Sequence, residues 1–142
     1  MTAQVTETLR YNGEELALCE QPLSDYFELA GVDPPFEAPH TALRRGYEGI
    51  WEIVDDRLYL IGLEGWSKTE GRVGLDFLFP DFPDRVFVHW INGTLRATRG
   101  KQLQYVHAGF ASVYEQDVFF RFVDGTFKSV VVKDNSIDQA RS

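Results

Sequence analysis

Apolar and polar positions alternate along most of this chain, and the alternating runs meet at two-residue turn signals. YNGE sets Asn12-Gly13 between TETLRY and EELAL, and VDGT sets Asp124-Gly125 between DVFFRFV and TFKSVVV. YEGIWEIV and RLYLIGLEG meet at Asp55-Asp56, while VFVHWI and TLRATRG meet at Asn92-Gly93. Asn, Asp and Gly tolerate the positive φ that a type I′ hairpin turn demands. Side chains alternate between the faces of a strand, so each turn predicts a register. Leu9 is expected opposite Leu16 and Arg10 opposite Glu15; Phe122 is expected opposite Phe127 and Val118 opposite Val131. Trp51 is expected opposite Leu60 and Gly49 opposite Gly62. Around Asn92-Gly93, Trp90 should face Leu95, His89 should face Arg96 and Val88 should face Ala97. An imidazolium opposite an arginine is disfavoured, so His89 is expected to be neutral, partly exposed and without a catalytic role. Trp51, Leu60, Trp90, Leu95, Phe120, Phe122 and Phe127 take the more apolar faces and are expected to share one core.

One helix is predicted over 25–30, in PLSDYFELAGVDPP. Ser24 is read as its N-cap, Asp25 lies in the first turn, and Gly31 suits the left-handed C′ position. SKTE at 67–70 has the form of a capping box, but Gly71 and Gly74 follow it and weaken a helix. LDFLFPDFPD fits either a short helix or an irregular loop. Four hairpin signals with one or two short helices describe a mainly β fold, α+β being the alternative. The architecture is expected to be an antiparallel, hairpin-rich barrel or a strongly curved sheet. Residues 1–135 read as one β-rich domain and 136–142 as a frayed tail.

Composition sharpens this. Hydrophobic residues make up 44% and aromatic residues 14% of the 142, so the core can be rich in rings. A net charge of −8 argues against generic binding to nucleic acid or to an anionic membrane. MTAQVTETLR lacks the apolar run of a signal peptide, no stretch has the length of a membrane span, and the cytoplasm is the expected home. The charge is unevenly spread. The 11–43 segment holds seven acids and no Lys or Arg, whereas 85–114 holds Arg85, Arg96, Arg99 and Lys101 with no acid. These segments either pair within the chain, pair between subunits, or leave the basic stretch to bind an anion.

GYEGIWEI with DDRLYLIGL, LFPDFPDRVFVHWINGTL and QLQYVHAGFASVYEQDVFF, together covering roughly 41–130, resemble a family of small uncharacterised bacterial proteins. Some of these are carried as integron gene cassettes. The resemblance implies a compact bacterial cytoplasmic domain and assigns no activity.

Motifs for chemistry are sparse. His40, His89 and His107 form neither HxH nor HExxH, and the lone Cys19 excludes a multi-cysteine zinc site, so no metal is expected. GWSKT lacks the second glycine of a nucleophile elbow, and neither phosphate-loop nor dinucleotide motifs occur, so no cofactor is expected. Acids near Cys19 in sequence (Glu14, Glu15, Glu20) would raise its thiol pKa. Glu48 and Glu52 lie four apart on a strand, roughly 13 Å, too far for a glycosidase pair. A candidate pocket is drawn by Tyr105, His107, Tyr114 and Glu115, with small residues at 109 and 111 beside it and Trp51 over a glycine gap. Close strand packing explains the same small residues.

Three functions follow. The first, favoured because catalytic motifs are absent, is a non-enzymatic module binding a small molecule or protein. The second is an enzyme using His107 as general acid or base. The third is an interaction or inhibitor protein presenting the acidic 11–43 segment. Phe77, Phe79 and Phe82 form either a lid or an oligomer contact, with a homodimer as the expected assembly.

Overall fold

Three of the four turn signals form the turns expected of them. The structure, a computed structural model, describes residues 3–82, 84–104, 110 and 112–135. Its elements in chain order are β1 (Glu7–Tyr11), β2 (Glu14–Leu18), α1 (Pro22–Ala30), β3 (Tyr47–Val54), β4 (Arg57–Ser67) and β5 (Gly71–Val73). They continue with α2 (Leu75–Leu78), β6 (Val86–Phe87), β7 (Gly93–Gln104), β8 (Val113–Val123) and β9 (Thr126–Asp134). Asn12 and Gly13 take φ of 51° and 78°, Asp55 and Asp56 50° and 60°, and Asp124 and Gly125 50° and 78°. Leu9 accordingly pairs with Leu16, Trp51 with Leu60 and Phe122 with Phe127.

Two of these ladders slip by a residue beyond the turn. A bulge at Ile50/Trp51 sets Ile50 opposite Gly62 and Gly49 opposite Leu63, so the expected Gly49–Gly62 pair does not form. A bulge at Arg121/Phe122 sets Val118 opposite Val132 rather than Val131. Bulges add one residue to one strand and sharpen its bend, which is how a sheet curls. Strands follow the order β3-β1-β2-β7-β8-β9-β4, and β4 pairs again with β3. The result is a strongly curved, mostly antiparallel sheet with ring-like order, mainly β, in which β1 and β3 run parallel.

The fourth turn signal does not make a hairpin. Gly93 begins β7, whose partner is β8, with Gly93 opposite Phe122. Val86 and Phe87 pair instead with Leu60 and Tyr59. Arg96 therefore lies opposite Phe119, and the expected His89–Arg96 and Trp90–Leu95 pairs are absent. Asn92 is drawn to the neighbouring turn: Asp124 N–H donates to Asn92 Oδ1 at 2.9 Å, and Asn92 Nδ2 donates to Asp124 Oδ1 at 3.3 Å. The 88–91 segment fills the place where β4 and β9 part. Val88 N–H donates to Leu58 O, Leu58 N–H to Gly125 O, and Gly125 N–H to Ile91 O, each at 2.9 Å. Gly125 combines a left-handed φ with a position where a Cβ would stand 2.3 Å from Val88 O. Gly125→Ala should lower stability by about 2 kcal/mol or more, the sum of a left-handed penalty and a backbone clash. A thermal melt checks this; a midpoint unchanged within error contradicts it.

α1 begins at Pro22, three residues before the expected start. Proline's fixed φ suits the first helical position. Ser24 is not the cap; its hydroxyl donates to Gln21 Oε1 at 3.2 Å. Gly31 closes the helix at φ 70°, as expected. SKTE makes a hairpin turn instead of a helix start, with Ser67 Oγ accepting N–H bonds from Thr69 and Glu70 at 3.2 Å. Leu23 and Phe27 of α1 join a core of Trp51, Leu60, Leu95, Phe120 and Phe122, and the expected members Trp90 and Phe127 pack at its edge, half-buried. The 136–142 tail lies outside the described residues. No helix among the described residues is long and apolar enough to cross a membrane.

Candidate functional site

Beside α1, Phe79, Phe82 and the non-hairpin path of residues 84–90 build an aromatic cleft of about 330 Å³, lined by Tyr26, Phe79, Phe82, Val86, Phe87, His89 and Trp90. That volume falls in the range of small-molecule sites, and its walls are mostly rings. Helical geometry turns Tyr26 toward the cleft while Leu23 and Phe27 face the core. The Trp90 indole N–H donates to Pro22 O at 2.8 Å, which fixes the ring against the first turn of α1. Tyr26 lies 4.9 Å from Trp90 and 5.2 Å from Phe79, centroid to centroid. His89 stands edge-on to Trp90 at 5.4 Å and 87°. Trp90 also borders a shallow open depression formed with Asp25, Glu28, Leu29 and Asn92. Burial, and then repulsion from Glu28, raises the Asp25 carboxyl above its usual value.

A second polar constellation is sealed inside. Glu7 lies on the same face of β1 as Leu9 and is 1% exposed. Its carboxylate accepts from Arg45 Nε at 3.0 Å and from Trp51 Nε1 at 2.6 Å. Arg45 Nη1 donates to Val5 O at 2.8 Å, and its guanidinium lies 5.5 Å from the centre of the Tyr47 ring. Arg45 Nη2 is buried without a partner among the described residues. Gly49 is required here, because a Cβ would stand 2.6 Å from Glu7 Oε1 and 2.7 Å from Trp51 Nε1. Burial drives the Glu7 pKa up to about 7, although Arg45 and the bond from Trp51 pull it down. Burial and the nearby Glu7 push the Tyr47 hydroxyl up as well. Glu7 and Trp51 have no opening to solvent, so this cluster locks strands together and does not meet a substrate.

The raised Glu7 pKa has a sign. Between 4.5 and about 7 the folded chain holds this proton more tightly than the unfolded chain. Its contribution is complete below 4.5 and lost as pH rises through about 7. Urea midpoints should therefore fall with pH across that window. Glu7→Gln should flatten the slope while Glu20 and Asp25, also raised, remain; an undiminished slope in this variant would refute the assignment.

The residues singled out in the sequence are placed unevenly. Tyr105 and His107 lie outside the described residues. Tyr114 and Glu115 are half-buried on β8, where Glu115 packs against Gly100. Trp51 is fully buried and bonded to Glu7. The basic patch is largely spent within the chain. Arg96 pairs with Asp117 at 2.9 Å, and Arg99 makes a two-pronged bond to Glu14 at 2.7 and 2.8 Å. Arg85 stacks 4.1 Å over the Tyr59 ring, and Lys101 is exposed. Against the burial that would raise it, bonds from Asn135 and Arg96 hold the Asp117 carboxyl below its usual value. The Arg99–Glu14 bond ties the basic stretch to the acidic 11–43 segment, the intrachain option. Cys19 is buried and its thiol is raised by that burial first; Glu14, expected to add to this, is engaged with Arg99 instead. Phe77 packs on Phe36 at 6.1 Å and Phe79 on Tyr26, leaving Phe82 exposed at 57%. His89 is exposed, on the cleft wall. Among the described residues, no three of His, Cys, Asp and Glu gather as a metal site.

The cleft and the Glu7–Arg45 pair were both missed by pattern reading. One signal was present for Glu7: strict alternation in TETLRY puts it on the face of Leu9 and Tyr11. No family model, no curated protein and no solved structure matches this chain.

Proposed function

We propose that this chain is a non-enzymatic binding module of a bacterial accessory gene, acting in the cytoplasm, with the aromatic cleft as its ligand site. The observation that carries this is the cleft itself: six ring-bearing side chains around about 330 Å³, with Trp90 pinned to α1. Rings held by packing offer area at little entropic cost to a ligand that orders against them. The test is a fragment titration followed by the indole N–H resonance of Trp90, with Trp51 and Trp66 as internal references. Ring-bearing fragments should move the Trp90 signal first. Fragments that move only signals remote from the cleft contradict the reading.

A second copy of the chain is the other partner we propose. Among the described residues, β9 pairs with β4 only at Arg57–Thr126, so its edge over 128–133 has no strand partner there. Val130, Val131 and Val132 are 37%, 60% and 47% exposed. Unpaired edges with apolar side chains favour strand addition. An antiparallel β9–β9 pairing centred on Val131 sets Val130 against the copy's Val132. Light scattering should give twice the 16.3 kDa of one chain. Val131→Lys should return the single-chain mass, and a wild-type protein already at that mass refutes the pairing.

A further inference from the structure

Resting on the reading of the cleft as a ligand site, we propose that its ligand is an organic cation, an ammonium or guanidinium head carrying apolar groups. Ring faces carry the negative side of the aromatic quadrupole and attract cations that come within about 6 Å of their centres. The lining of the cleft contains no Lys or Arg. Asp25 and Glu28 border the depression that shares Trp90 with it, and exposed Asp81 and Asp84 bracket Phe82 in the chain. An anion would meet ring faces, with the carboxylates of Asp25 and Glu28 bordering the same Trp90. The nearby cations are already stacked: Arg57 lies 5.6 Å from the Phe87 centroid and Arg85 4.1 Å from that of Tyr59. They weaken the negative field at the Phe87 end, so the head group belongs at the Tyr26–Trp90 end, beside Asp25 and Glu28.

The experiment compares choline with 3,3-dimethylbutan-1-ol, which has the same shape without the charge, by titration of the whole chain against the Trp90 indole resonance. Choline should bind about tenfold tighter or more, the gain expected when a cation is desolvated against rings. Asp25→Asn and Glu28→Gln should each weaken choline several-fold and leave the alcohol unchanged, and added salt should act in the same direction. Equal binding of the two compounds, unaffected by these variants, overturns the cationic ligand while leaving the cleft as a site for neutral ligands. Choline that moves other resonances but not that of Trp90 also overturns it. Silence from choline overturns it too, and silence from ring-bearing fragments as well removes the site itself.

Discussion

Glu7→Ala is expected to cost about 3–5 kcal/mol, enough to unfold much of the population of a marginally stable domain. The side chain of Arg45 is only 6% exposed, and Glu7 is its one ionic partner among the described residues. Removing the carboxylate leaves a guanidinium in the interior with one bond to Val5 O, and an indole N–H without its acceptor. Unpaired buried charge, more than any lost attraction, sets the size of the loss. The double variant Glu7→Met with Arg45→Met separates these two effects. Apolar pairs of similar volume often replace a buried ion pair without loss, so the double variant should recover most of the stability that Glu7→Ala forfeits. Urea unfolding of the three proteins checks the scheme. A single-variant loss below about 1 kcal/mol, or a double variant less stable than the single, contradicts it.

Turn chemistry explains why so much of the fold was legible. Asn12-Gly13, Asp55-Asp56 and Asp124-Gly125 adopt the positive φ their residues permit, and the near-turn registers follow from counting. Counting fails where a bulge intervenes, because nothing in LYLIGL marks Ile61 as the residue without a partner. Asn92-Gly93 failed for a different reason. Its amide group bonds to Asp124 in the neighbouring turn instead of closing a turn of its own, a tertiary contact that local sequence does not carry. That same failure hid the cleft, since Trp90 and His89 were placed on a strand they do not form. Of the charge segregation, Arg99–Glu14 is a bond that joins the two segments, whereas Arg96 turns to Asp117 outside the acidic one. Arg45 lay beyond reach, because the residue it pairs with stands 38 positions earlier.

Phe122→Ala should cost a comparable amount, about 3–5 kcal/mol, through the cavity it leaves. Phe122 is fully buried, opposite Gly93 on one side and Phe127 on the other, with the Phe127 ring 6.1 Å away and edge-on. Gly93 has no side chain to move into the void, and the bulge beside Phe122 already fixes the local backbone. The site is therefore poorly able to collapse, which places the loss toward the upper part of that range. Phe127→Ala should cost less, since Phe127 is half-buried. The effect should also reach the cleft. The turn after Phe122 holds Ile91 through the Gly125 N–H bond, and Ile91 follows Trp90 directly. Loosening that turn frees the 88–91 segment, so the Trp90 indole resonance should shift or broaden in Phe122→Ala even below its unfolding temperature. A stability loss under about 1 kcal/mol would put Phe122 outside the core, and an unchanged Trp90 signal would sever the link between the hairpin tip and the ligand site.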